Sequence, residues 1–172
     1  MKVFTFVASV FFIFASSVLA QEPNRSRGQG YFFFALGMGD SGPAGHTYQQ
    51  NIHVGAGGEG FIDKGLAIGA ELGPLGPTKT GSPFLGWSDW VVGLGSANLS
   101  YHFLPDTIDR KFEPFVTAGY SMFFRHGIFN GYNVGGGVNL WVNKSAALRF
   151  EGRFHSAYDH NFAGFRIGMT FR

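Results

Sequence analysis

The residues with the most to offer chemically are three glutamates and three arginines. Glu59, Glu71 and Glu151, and Arg149, Arg153 and Arg166, all fall inside stretches that are otherwise small or apolar. Pairing is the chemistry such residues can do, because a buried charge persists only beside its opposite, and three against three balances. His155-Ser156, with Asp159 and His160 just beyond, is the one place where a nucleophile and a base crowd together. Neighbours on a strand point to opposite faces, so His155 and Ser156 need a bulge to hydrogen-bond directly. Gly55-Ala56-Gly57-Gly58-Glu59-Gly60 spells G-x-G-x-x-G. The dinucleotide reading of that motif requires a preceding strand, a helix opening on it and an acid about twenty residues on. Here it lies within a period-two stretch, where small residues on a crowded strand account for it. His46, His53, His102 and His126 complete the histidines, none at metal-ligand spacing, and no cysteine assists. Asn24, Asn98 and Asn143 each open an N-x-S triplet by chance. No catalytic, cofactor-binding or metal-binding residue is assigned, and the six charged residues stand as a candidate interior charge network.

Those residues need elements to hold them, and composition limits which. The 172 residues include 27 Gly and 21 Phe, with 14% charged and no Cys. Glycine is thus about twice its usual ~7% share, while charge falls well below the usual ~25%. Disorder requires the opposite balance, and collagen requires a strict glycine period that is absent. The absence of Cys excludes disulfide scaffolds, thiolate zinc sites and thiol catalysis. A net charge of +2 is too small for a nucleic-acid footprint.

Lys2 is followed by an uncharged run, Val3 to Ala20, with an apolar centre through Phe11, Phe12, Ile13 and Phe14. Val18-Leu19-Ala20 then places small residues at the minus-three and minus-one positions, the pattern of a secretory signal peptide cut after Ala20. Residues 1–20 are therefore expected to be removed, 21–29 to form a flexible polar leader, and 30–172 to form one domain.

That domain reads as eight short stretches of period two, at about 30–39, 51–62, 65–73, 89–104, 111–124, 133–142, 146–156 and 162–171. Several are about ten residues, the length of a tilted strand crossing a bilayer's hydrocarbon core. From Ala146, one face carries Leu148, Phe150 and Phe154 while the other carries Arg149, Glu151, Arg153 and His155. In the last stretch, Phe165, Ile167, Met169 and Phe171 oppose Arg166, Gly168 and Thr170. A small barrel cannot house the bulky face of eight strands. Turned outward, that face leaves Gly, Ala, Ser, Thr and a few charges inside. Glu59, Glu71 and Glu151 are then expected to pair with Arg149, Arg153 and Arg166.

Connections orient the barrel. Those at Ile62–Lys64, Asn143–Ser145 and Pro105–Arg110 are short, those at Asp40–Gln50 and Pro74–Ser88 longer, and those at Arg125–Tyr132 and Ala157–Asn161 intermediate. Alternation of short and longer links is expected of periplasmic turns and outer loops. Two aromatic girdles are expected: Tyr101, Phe103, Phe112, Trp141 and Phe171 on the turn side, and Trp87, Trp90, Phe123, Phe124 and Tyr132 on the loop side. Trp90, Val92 and Leu94 share parity with Ser96, Asn98 and Ser100, so a bulge near Gly93-Gly95 would be needed to restore the phase.

With these features the chain resembles the small eight-stranded bacterial outer-membrane β-barrels of the OmpA/OmpX-like group. The resemblance rests on the signal peptide, the alternation, Pro114 to Tyr120, Val134 to Trp141, Leu148 to Arg153, and the ending Phe165 to Arg172. It implies an all-β, eight-stranded antiparallel up-and-down transmembrane barrel in the cell outer membrane, with both termini periplasmic. It implies contact with outer-membrane lipid, and insertion by a barrel-assembly machinery that favours a terminal aromatic residue; here Phe171 is penultimate. No peptidoglycan-binding domain is expected after the barrel. The expected protein is a monomer with a lumen plugged by side chains, no cofactor and no nucleic-acid partner, in a structural or adhesive role through its outer loops. Two alternatives remain: a lipid A deacylase-like enzyme using His155 and Ser156, or a soluble secreted barrel carrying a small apolar ligand. The deacylase pattern places one residue between His and Ser, which this sequence does not.

Overall fold

A computed structural model describes residues 28–39, 49–78, 91–103, 111–124, 127–157 and 160–172. The expected signal peptide and nearly all of the leader lie outside the described residues. Eight strands follow in order: β1 (Gly28–Gly39), β2 (Gln49–Phe61), β3 (Leu66–Pro77), β4 (Val92–His102), β5 (Phe112–Phe124), β6 (Ile128–Trp141), β7 (Ala146–Ala157) and β8 (His160–Phe171). Each pairs antiparallel with the next, and β8 pairs with β1, closing an up-and-down barrel. Among the described residues there is no helix.

Period two explains the wall. On β1, Phe32, Phe34, Leu36 and Met38 are exposed on the outer face while Gln29, Tyr31, Phe33 and Ala35 are buried inside. β7 and β8 do the same, with Leu148, Phe154, Phe165, Ile167 and Phe171 outside and Arg149, Glu151, Arg153 and Arg166 inside. The outer wall is apolar and the charged face lines the lumen.

The register fixes the stagger. Pairing partners lead from Gln29 through Glu59, Gly69, Asn98, Gly119, Asn133, His155 and Phe162, and return to β1 at Gly39. One circuit of the barrel thus advances from residue 29 to residue 39. A stagger of this kind accompanies strands tilted about 35–45° from the barrel axis.

Several sequence expectations are corrected. β1 begins at Gly28, two residues inside the expected leader. Gln29 is fully buried and donates to Glu59 at 2.6 Å, a contact that holds the strand's start in the lumen. β3 continues through Pro77, and β6 begins at Ile128 rather than 133. The β5–β6 and β7–β8 connections thereby shrink to 125–127 and 158–159, while the turn-side link 103–111 matches 40–48 in length. Short and long connections therefore contrast between 62–65 or 142–145 and 78–91, but not through the second half.

No bulge interrupts β4: its pairs with β3 and β5 run in unbroken register from Val92 to Tyr101 and from Gly93 to His102. Leu94 shares a face with Ser96, Asn98 and Ser100 because it, too, points inward. There it packs with Leu75, Phe123, Ala157 and Phe162 in an apolar cluster at the loop-side end of the lumen. The same cluster places Phe123 inside rather than in a girdle, and Trp141 is likewise buried. Tyr101, Phe103, Phe112, Phe124, Tyr132 and Phe171 are on the outside; Trp87 and Trp90 lie outside the described residues.

The glycines fit this lumen. At Gly57 an added Cβ would come within 2.7 Å of the Tyr31 ring, and at Gly55 within 2.6 Å of the Phe33 ring. Among the described residues only Gly65, in the β2–β3 turn, is a glycine with a positive φ, of 83°. A β-carbon there would also strike the His102 carbonyl, at 2.3 Å.

Candidate functional site

The six charged residues meet in the lumen. Glu59 comes from β2, Glu71 from β3, Arg149, Glu151 and Arg153 from β7, and Arg166 from β8, and each is nearly fully buried. Alternation along β7 puts Arg149, Glu151 and Arg153 on one face, so the central carboxylate is flanked by both guanidinium groups. Arg149 donates to Glu151 through Nε at 3.1 Å and to Glu59 through Nη1 at 3.2 Å. Arg153 donates to the other Glu151 oxygen and lies 3.7 Å from Glu71. Arg166 grips both Glu71 oxygens at 3.0 Å and approaches Glu151 at 3.9 Å. The result is one continuous alternation of charge: Glu59, Arg149, Glu151, Arg153, Glu71, Arg166.

Aromatic rings form the rest of the cradle. The Arg149 guanidinium lies 4.3 Å from the Tyr31 ring centre and 4.0 Å from that of Phe115. Arg166 lies 4.2 Å from the Phe33 ring centre. The interior is therefore not limited to small residues and charges; inward-facing aromatics stack on the arginines, an attraction that strengthens on desolvation. Tyr31 also donates its hydroxyl to Glu71 at 3.1 Å.

A second polar group, not singled out from sequence, occupies the turn-side end. Glu113 accepts from Trp141 Nε1 at 3.0 Å, from Asn139 at 3.3 Å and from Arg172, and lies 2.9 Å from His102 Nδ1. His102 Nε2 faces Glu59 at 3.3 Å, joining this group to the first. Arg172 stacks over Trp141 at 3.8 Å. Parity was the available signal: Glu113 shares a face with Phe115 and Thr117, and His102 with Asn98 and Ser100. The two carboxylates flank opposite edges of the imidazole, and among the described residues no three ligating side chains converge as a metal would require.

His155 and Ser156 do not meet. His155 is fully buried in the lumen, while Ser156 belongs to the opposite face of β7. His155 Nδ1 lies 2.9 Å from Ser121 Oγ instead, and Nε2 lies 2.9 Å from Arg166 Nη2. A guanidinium only donates, so Nε2 accepts and Nδ1 carries the hydrogen to Ser121. Ser121 also accepts from Asn133 at 3.0 Å, which turns its own hydrogen toward Ser96 Oγ at 3.1 Å. The chain of donors runs toward the serine, the reverse of what activates a nucleophile. Gly55 to Gly60 lies within β2, with no helix opening on it. His46, His126 and Asp159 lie outside the described residues.

No protein-family model matches this chain, and no curated protein is similar to it in sequence. Solved structures are similar in fold. Neisserial surface protein A matches with a TM-score of 0.66 at 14% identity, over 87% of this chain and 99% of that one. Ail, the attachment invasion locus protein of Yersinia pestis, matches at 0.54 and 7% identity, over 84% of this chain and 96% of its own. The N-terminal β-barrel domain of Pseudomonas aeruginosa OprF matches at 0.51 and 14% identity, over 84% and 99%. The chain thus has the fold of the small eight-stranded outer-membrane barrels.

Proposed function

We propose that this protein is an integral outer-membrane barrel, exported by a signal peptide at residues 1–20, with a side-chain-filled lumen and a structural or surface-interaction role. The observation that carries this reading is the inversion of the fold. The wall exposes Phe32, Phe34, Leu36, Ile68, Leu99, Val116, Val134, Phe165 and Ile167, while among the described residues three arginines and four glutamates are buried within. A water-soluble barrel of this size would expose an apolar surface far beyond what monomers tolerate. In hydrocarbon the same surface is matched, and closure leaves no strand edge to satisfy.

The lumen favours a static role over transport. Eight strands leave an interior just wide enough for side chains, and here ion pairs and stacked rings fill it. The opposed faces of His155 and Ser156 support the non-enzymatic reading over the lipid A deacylase-like one. Contact with other molecules then falls to the loops, of which 40–48 and 78–91 are the longest on their side. The adhesive reading is supported in kind by the similar fold of an attachment protein.

Fractionation with heat-modifiability on gels tests this. The expected result is a membrane-bound band that shifts on boiling, and no conductance above background in planar bilayers. Recovery from soluble periplasm without detergent would overturn the membrane reading. Steady channels of the intact barrel would overturn the filled lumen.

A further inference from the structure

We propose that the turn-side rim of the barrel is a docking surface for the anionic headgroups of phospholipids in the leaflet it faces. This rests on the membrane reading above and names the chemistry of one leaflet. The β2–β3 and β6–β7 turns are built alike. Ile62 N donates to Leu66 O at 2.9 Å and Val142 N to Ala146 O at 3.0 Å, with Asp63 N and Asn143 N making the second bond at 3.4 and 3.3 Å. Each turn presents an exposed branched apolar residue, Ile62 or Val142, two positions before an exposed lysine, Lys64 or Lys144. The third turn-side connection repeats the combination, since exposed Lys111 directly precedes exposed Phe112 and exposed Phe103 opens the connection.

Among the described residues no carboxylate pairs with Lys64, Lys111 or Lys144. Glu113, a nearby acid, is buried and committed to His102, Trp141 and Arg172. Asp63 is the only other acid described on this rim. Unpaired lysines within a turn's length of outward apolar side chains suit a boundary where the stem lies against acyl chains and the ammonium reaches phosphate. Tyr101 and Phe103, with ring centres 5.1 Å apart, and Phe171 hold the wall at that depth. A cell-wall polymer, the other anionic partner on this side, would engage the ammonium groups but gives no reason for Ile62, Val142 and Phe112 to be exposed beside them.

The test uses the folded barrel in phosphatidylcholine vesicles carrying spin-labelled phosphatidylglycerol or spin-labelled phosphatidylcholine. The expected result is a motionally restricted fraction favouring phosphatidylglycerol by roughly threefold, lost in high salt and in K64Q/K111Q/K144Q, and kept in K79Q, which replaces a lysine between β3 and β4 in sequence. An inserted barrel that restricts both lipids equally overturns the proposal while leaving the membrane reading intact. A chain that enters no vesicle of any composition overturns both. Lysine-dependent co-sedimentation with purified peptidoglycan, alongside equal lipid restriction, would assign the rim to the cell wall instead and overturn the lipid proposal.

Discussion

Around Glu151 the lumen is held by charge; around Leu94, nearer the loops, it is held by hydrocarbon. In the first region Glu151 takes a guanidinium on each carboxylate oxygen, and Arg149 is further held by Glu59 and two aromatic rings. In the second, Leu75, Leu94, Phe123, Ala157 and Phe162 simply pack. Both line the same barrel, yet they tolerate error differently. A hydrocarbon cluster can be repacked with residues of similar volume at modest cost. A partly satisfied ion network is worse than none, because each orphaned charge keeps its desolvation penalty.

Glu151→Ala should give the largest effect. It leaves Arg149 and Arg153 with one neighbouring carboxylate each, Glu59 and Glu71, and unfolding in vesicles should show a loss of about 3–5 kcal/mol. A loss under about 1 kcal/mol would mean that water enters and screens the network, erasing the contrast. Leu94→Ala should cost about 2–4 kcal/mol, and Leu94→Met less than about 1.5 kcal/mol. Equal costs for the two would show that shape, rather than volume, governs the apolar end.

Gly57→Ala sharpens the boundary between the regions. Its β-carbon would meet the Ala70 carbonyl and the Tyr31 ring, each at 2.7 Å. The expected cost is about 1–3 kcal/mol, with Tyr31 pushed from Arg149. An unchanged denaturation midpoint would show that Tyr31 has room to move. Ser156→Ala, on the outer face, should shift stability by no more than about 0.5 kcal/mol and leave lipid A unmodified in the same way as the parent. A change in lipid A would restore the enzyme.

Much of this was legible in the sequence because period two is a strong signal where one face is apolar. The eight strands and the inward set Glu59, Glu71, Arg149, Glu151, Arg153 and Arg166 all follow from parity. Parity misleads where the lumen itself turns apolar: by parity with Ser96 and Asn98, Leu94 calls for a bulge, whereas it belongs inside with Leu75 and Phe123. Parity sets Phe33 apart from Phe32 and Phe34 and puts Phe115 with Glu113 and Phe162 with Arg166, but it gives no sign that Phe33 and Phe115 stack on arginines or that Phe162 joins the apolar cluster. Strand ends were obscured for another reason. Pro74 and Pro77 signal a loop, yet β3 runs through both. Glu113 and His102 were readable by parity, but each stood alone in its strand, and their pairing depends on the register between β4 and β5.

Arg166 has a consequence for the order of assembly. It resides on the last strand, and its bidentate partner Glu71 is 95 residues earlier, on the third. A chain with only β1 to β7 in place has two open edges and, in the central network, two guanidiniums for the three carboxylates Glu59, Glu71 and Glu151. Arrival of β8 supplies the seam with β1 and the missing countercharge in a single step. A slip of one residue in that seam would turn Arg166 out toward the hydrocarbon and leave Glu71 short of charge. The closing strand thereby proofreads its own register.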